Sequence, residues 1–346
     1  MVKWIKRCFA VALAVGTLGA LGVLWANHKL AQPLNIASSD YMLMIESGTG
    51  FSEMSARLEV EGLIGFPPIV LNLYARLSET EGAIQSGEYL LHSGLNSYDL
   101  VDLLTRGDVV RYRATLIEGW TFAEVLNYLS NHPNLEQHYD PQKTVWSQIG
   151  VESPLNAHPE GLFFPDTYSF VRGATDVGIL SRAYQQMVQV VETEWARRAE
   201  GLPYETPYDA LIMASIVEKE TGQPHERDRI AGVFVTRLQK NMRLQTDPTV
   251  IYGLPQDERR NIRSRHLKDA TNPYNTYRHS GLPPTPIAMP GQAAIHAALN
   301  PLQDGALFFV AKGDGSHQFS ETLDQHRQAV RDYQLKRRED YRSAPQ

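Results

Sequence analysis

The 346-residue chain has a single cysteine, Cys8. That excludes internal disulfides and thiolate-held metal clusters, and its place in an apolar run makes it a poor nucleophile. Basic excess is missing too: 33 Lys and Arg stand against 39 Asp and Glu, a net charge of −6, so no surplus neutralises a phosphate backbone and nucleic acid is not an expected partner. The 11 histidines are scattered without a ligand spacing backed by a third group. His225-Glu226 has Arg229 where a zincin helix needs its second histidine, so neither a metal site nor a cofactor is expected. There is no G-x-S-x-G, P-loop or dinucleotide glycine fingerprint. Apolar residues at 42% and charged ones at 21% exclude wholesale disorder and a polytopic membrane protein.

What is present begins at the N-terminus. Lys3, Lys6 and Arg7 precede an uncharged run of 19 residues, 8–26, followed by Lys29. As a helix that run is about 28 Å long, enough for a bilayer core of about 30 Å. The cation bias places the start of the chain in the cytoplasm and the rest outside, as a single-pass membrane anchor. A cleaved secretory signal ending near Ala20 and Gly22 is the alternative. Either way the bulk is exported, away from cytoplasmic nucleotides, and an extracytoplasmic polymer is the favoured substrate.

Downstream, one pattern occurs three times: an extended segment, a glycine turn, a polar cap, then a helix with a leucine ten residues after the glycine. The copies run from Gly48 to Leu58, Gly94 to Leu104 and Gly119 to Leu129, and Thr121 with Glu124 has capping-box spacing. Gly62 and Gly107 fall where helices stop. Helices are expected at 178–200, 207–222 and 226–241, a strand at ALFFVAK, and a charged helix at the C-terminus. The irregular mixture makes the fold class α+β. The expected organisation is a cytoplasmic tail (1–7), a transmembrane anchor (8–26), a linker (27–40), a small α+β module (41–115) whose β-helix-helix-β rhythm is similar to a LysM module, and an α+β catalytic domain (116–346).

The strongest chemical signal is the 207–222 helix. Residues 210–217, ALIMASIV, are apolar around the circumference except for Ser215, which marks a buried helix that then ends in Glu218, Lys219 and Glu220. Glu218 shares a stripe with Leu211, Ala214 and Ser215, and Glu220 is rotated by about 200° from it. Glu218 is therefore the expected inward carboxyl, its pKa raised by desolvation and by the negative end of the helix, as general-acid cleavage of an acetal requires. The structural alternative is a helix-end glutamate paired with a lysine or arginine. Around it, Asp166, Tyr168, Gln245, Asp247, Asn275, Tyr277 and His317 are the expected substrate contacts, since aromatic faces stack on pyranose rings and amides and carboxylates bind their hydroxyls.

ASIVEKETG (214–222), GLFFPDTY (161–168), LQTDPTVIYGL (244–254), NPYNTYRHSGLPPTPI (272–287) and LFFVAKGDGSHQFSET (307–322) occur in this order. With them the chain resembles the YceG-like family of endolytic murein transglycosylases over nearly its whole length. The resemblance implies an inner-membrane lyase that cuts peptidoglycan glycan strands internally, leaves 1,6-anhydro-N-acetylmuramoyl ends and works beside cell-wall synthases. It also implies that Glu218 is the catalytic glutamate. A muramidase using Glu218 with Asp166, Asp247 or Glu220, and a non-enzymatic glycan-binding scaffold, are the competing readings.

The topology is testable directly. A reporter fused after Gln346 is expected to be active only if it needs export; activity of a cytoplasm-only reporter, or a mature N-terminus near Asn27, refutes the retained anchor.

Overall fold

The computed structural model describes residues 2–36, 40–152, 154–220 and 222–335. Part of the expected linker (37–39), Thr221 of the expected 207–222 helix, and 336–346 of the expected terminal helix lie outside the described residues. The chain divides into two compact units, one formed by 1–112 with 169–172 and the other by 113–168 with 173–346. Helices are mixed with three two-stranded sheets among the described residues, pairing β1 with β2, β3 with β4 and β5 with β6.

The first unit contains α1 (Val2–Ala31), β1 (Asp40–Ile45), α2 (Phe51–Val60), α3 (Pro68–Leu77), β2 (Gly87–His92) and α4 (Ser97–Arg106). β1 and β2 are antiparallel, with Leu43 opposite Tyr89 and Ile45 opposite Gly87. Alternation puts Leu43, Ile45, Tyr89 and Leu91 on one face, where they pack with Met54, Leu58, Leu71, Leu100 and Leu104 in a shared core. The glycine rhythm explains the helix starts. Gly48 and Gly94 take φ of +89° and +95°, three residues before α2 and α4, and Leu58 and Leu104 are fully buried. The strand-helix-helix-strand order is the expected one, and likeness to a LysM module rests on that order alone. Glu88 holds the returning segment to this unit, accepting from Arg172 at 2.8 Å and from Tyr112 at 2.5 Å.

The expected linker is not free over 27–36. Leu30 and Leu34 are buried in the same core, Leu34 N–H donates to the Leu95 carbonyl, and Asn35 donates to the carbonyls of Leu63 and Gly62. The reason is visible only in three dimensions: two leucines among polar residues, Leu30 in the last turn of α1 and Leu34 just beyond it, find an apolar socket in the module.

The chain then forms β3 (Tyr112–Thr115), α5 (Phe122–Ser130), α6 (Val145–Gln148), β4 (Thr167–Phe170), α7 (Asp176–Ala196) and α8 (Pro207–Glu220). After a short 3-10 turn (Pro224–Glu226) follow α9 (Arg227–Gln239), α10 (Asp247–Tyr252), α11 (Ser264–Lys268), α12 (Gln292–Leu299), β5 (Phe308–Ala311), β6 (His317–Ser320) and α13 (Leu323–Val330). The expected capping box at α5 is present, with Thr121 and Glu124 each bonding the other's backbone N–H. α10 and α11 fall in stretches for which no helix is expected, because helices of five or six residues show no periodicity.

α8 is the centre of the second unit: every residue from Tyr208 to Val217 except Asp209 is buried. It is packed by α7, α9, α10 and α12. Small residues allow the closest approach, since Ala210 and Ala214 of α8 and Ala294, Ala297 and Ala298 of α12 are all buried. The neighbouring α9 is pinned at Gly232, where a Cβ would overlap the Leu302 carbonyl. In an unobstructed helix Gly→Ala stabilises by about 1 kcal/mol. Here Gly232→Ala is expected to destabilise instead, by about 1–3 kcal/mol, because backbone must move. A thermal midpoint equal to or above that of the parent chain contradicts this packing.

Candidate functional site

The two glutamates ending α8 have different surroundings. On the Glu218 face, the extended segment 287–291 lies against the helix. Ile287 N–H donates to Ser215 Oγ at 3.0 Å, and Gly291 N–H donates to Glu218 Oε2 at 3.0 Å. Ser215 and Glu218 are three residues apart on one face, so they act as acceptors for one stretch of backbone. The same stretch is held from its other side, where Met289 exchanges hydrogen bonds with Gly119 and Trp120. Glu218 Oε1 lies 3.6 Å from the Arg227 guanidinium, which also lies 3.9 Å from Glu118. The Glu218 side chain is 7% exposed. Burial raises its pKa and the Glu118 charge adds to this; the Gly291 N–H, Arg227 and Lys219 oppose it.

The Glu220 face opens onto a cavity of about 500 Å³, within the usual range of ligand clefts. Its walls include Glu220, Gln245, Thr246, Asp247, Tyr277 and His317, with Phe234 and Phe309 among its apolar surfaces. Glu218 is not in its walls. Thr246, 2% exposed, donates its hydroxyl to Glu220 Oε1. Tyr277 donates to Asp247 Oδ1 at 2.7 Å. Desolvation, augmented by the Asp247 charge and opposed by the Thr246 hydrogen bond and Arg237, raises the Glu220 carboxyl to about 7. Arg237 makes no ion pair with it; its guanidinium donates to the carbonyls of Leu307, Arg243 and Leu244.

Four of the seven expected substrate contacts thus meet in one wall: Gln245, Asp247, Tyr277 and His317. The other three lie elsewhere. Asn275 is fully buried, donates its amide to the carbonyls of His266, Leu267 and Asp269, and accepts from Tyr277 N–H at 3.0 Å, so it shapes the loop that presents Tyr277. Tyr168 is buried with its hydroxyl on the Phe164 carbonyl. Asp166 is exposed, bonded to Gln186 and to Thr167 N–H.

Glu226 is a residue that sequence reasoning passed over. It follows α8 in the 3-10 turn and receives both His317 N–H at 3.0 Å and, at 2.7 Å, His317 Nδ1, fixing that imidazole in the cavity wall. Dismissing His225-Glu226 as a zincin left no other local signal, because its partner is 91 residues away. Gln245 carries a signal only in the backbone: its φ of +54° is rare for a residue with a side chain. Glu160, 3% exposed, accepts from Phe122 N–H and from Tyr252 and is raised to about 7, chiefly by desolvation. It braces the start of α5.

Comparison with known proteins gives the lineage. The chain is 29% identical over 330 residues to the endolytic murein transglycosylase of Bacillus subtilis, covering 90% of each protein. It is 25% identical over 343 residues to that of Streptococcus pneumoniae, covering 90% of this chain and 61% of the pneumococcal one. The crystal structure of a YceG-like protein from Listeria monocytogenes superposes with a TM-score of 0.51 at 27% identity, covering 84% of this chain and 99% of that one. Residues 43–332 match the model of the YceG-like family. With that span covering most of its length, the chain belongs to the YceG-like family.

Proposed function

We propose that the protein is an endolytic murein transglycosylase whose general acid is a carboxyl at the end of α8, and we set Glu220, on the cavity wall, beside the expected Glu218 for that role. The observation that carries this is a carboxyl raised to about 7 in the wall of a cavity that also holds Gln245, Asp247, Tyr277 and His317. The names of the bacillar and pneumococcal relatives support the reaction class. Glu218 has a backbone N–H on one oxygen and an arginine by the other, while burial and the Glu118 charge raise its pKa as well.

In the proposed reaction, neutral Glu220 gives its proton to the O4 of the departing N-acetylglucosamine as the bond from that oxygen to the muramoyl C1 breaks. The resulting carboxylate takes the proton of the muramoyl C6 hydroxyl as O6 closes on C1. No water is consumed, and the acid is regenerated. A hydroxyl already held by its own sugar ring replaces the bound water of a hydrolase, which is why one carboxyl suffices. The nearby Asp247 has two effects in this scheme: its charge helps keep Glu220 protonated, and it favours the positive charge that develops at C1. Because Glu220 and Asp247 share one wall, a two-carboxylate muramidase is the second reading the geometry supports. α1 is long and apolar enough to cross a membrane, and we assign it as the anchor with the remainder outside the cytoplasm.

Glu220→Gln is expected to lower kcat on isolated glycan strands by about 10²–10⁴-fold with the fold retained. Glu218→Gln, whose amide oxygen still accepts from Gly291, is expected to stay within about tenfold of the parent. An inactive, well-folded Glu218→Gln beside an active Glu220→Gln returns the acid role to Glu218. The pH profile checks the same assignment. An acid must be protonated, so activity falls as pH rises through about 7. Thr246→Val removes a hydrogen bond that favours the carboxylate, so the alkaline limb moves to higher pH; a limb moving to lower pH rules out Glu220 as the titrating acid.

Product analysis separates transfer from hydrolysis. In ¹⁸O-labelled water each new muramoyl end is expected to be an unlabelled anhydro sugar. Labelled ends that borohydride reduces establish the muramidase reading, with Asp247 the first residue to test.

A further inference from the structure

We propose that α3 lies in the lipid interface of the membrane that α1 crosses, as a second and shallower attachment of the first unit. This rests on the assignment of α1 as an anchor.

α3 exposes large apolar residues where a soluble helix would place polar ones. Ile69, Leu73 and Leu77 are 68%, 55% and 76% exposed, and they recur every four residues along one face. At 1.5 Å per residue they form a stripe about 12 Å long. The opposite face, Leu71 and Ala75, is fully buried in the core. The helix is therefore apolar on both sides, although only one side is covered by protein. Val60, at the end of α2 and 86% exposed, adds to the uncovered apolar surface. Within Pro68–Leu77 the only charged side chain is Arg76, a cation, and there is no carboxylate. An apolar stripe, a tyrosine and one cation form the composition of a helix lying in a headgroup layer.

The occupant follows from where α3 lies. Tyr74 on α3 packs edge-on against Tyr98, with ring centroids 4.9 Å apart, and Tyr98 donates its hydroxyl to Asn27 on α1 at 3.1 Å. Asn27 is the first residue after the uncharged run 8–26. α3 is thus two side chains away from the point where α1 leaves the apolar core of a bilayer. The loop before α3 is equally close to the exit, since Leu63 and Gly62 accept from Asn35, four residues beyond the end of α1. With Leu30 and Leu34 buried in the module core, no slack chain separates α1 from this surface. A second copy or a protein partner would also cover a stripe of leucines, but neither accounts for its position beside the exit of α1.

The test uses the full chain in vesicles of phosphatidylethanolamine and phosphatidylglycerol. A polarity-sensitive fluorophore is placed at Leu73→Cys or, as a control, at Ser47→Cys, each in a Cys8→Ser background. Ser47 lies beyond Ile45, the end of the β1–β2 ribbon away from Leu95, where Leu34 is bonded. The label at position 73 is expected to shift to the blue and to be quenched about twofold by lipids carrying a spin label near the headgroup, as for a helix buried only to the headgroup boundary. The label at 47 should be unaffected, and Ile69→Asn with Leu77→Asn should abolish the quenching at 73. The unaltered chain labelled at Cys8 reports on the anchor. If Cys8 is quenched while position 73 keeps its aqueous emission, the α3 proposal is overturned and the anchor stands. A blue shift at 73 without quenching overturns it in favour of a protein cover. If Cys8 itself is not quenched, the anchor assignment falls and takes this proposal with it.

Discussion

The second unit depends on burying α8 around its whole circumference. A helix with one apolar stripe can keep its last turn in water. A helix enclosed by α7, α9, α10 and α12 cannot, so the two carboxyls at its end emerge into protein on opposite sides. Both lose solvent, and both have pKa values pushed upward by that loss. What distinguishes them is what each meets. Glu218 finds a backbone N–H, an arginine and the ammonium of its neighbour, while Glu220 finds one hydroxyl, a second carboxylate and an open cavity. The helix thus gives the two carboxyls of one short acidic motif different surroundings, through a rotation of about 200°.

Helix geometry also explains why the sequence favoured the other glutamate. Treating α8 as having an inner and an outer side selects Glu218, which does share its face with Ser215. α8 has no outer side, so that premise does not by itself choose between the two, and the face through Ser215 and Glu218 also meets the backbone of 287–291. Local features were readable. The glycine, cap and leucine rhythm located the starts of α2, α4 and α5, because φ signs and capping are set within a few residues. Gln245, Asp247, Tyr277 and His317 were also readable as a group by residue chemistry, although Asn275 and Tyr168 have the same chemistry and serve as structure. The pairing of Glu226 with His317 and the socket for Leu30 and Leu34 were not readable, since each depends on partners far along the chain.

Asn275 shows how little of such a site need touch a ligand. Its amide satisfies three carbonyls of one loop and its oxygen takes the N–H of Tyr277, whose hydroxyl in turn holds Asp247, the residue whose charge raises Glu220. A wholly buried amide is in this way linked to the proton affinity of a carboxyl through two intermediates. Burial supplies most of the upward shift of Glu220, and the hydrogen-bonded loop fixes in place the charge that adds to it.

The seated segment after α1 has a kinematic consequence. A free linker of 14 residues would let the rest of the chain sample a hemisphere up to about 46 Å in radius. With Leu30 and Leu34 locked in the core, and with α1 as the anchor proposed above, the first unit would inherit the motion of the helix it is fused to: sliding in the membrane plane, turning about the helix axis and a limited tilt. On that proposal its encounters would become a search in two dimensions at a nearly constant height, with only polymer passing through that thin layer within its reach.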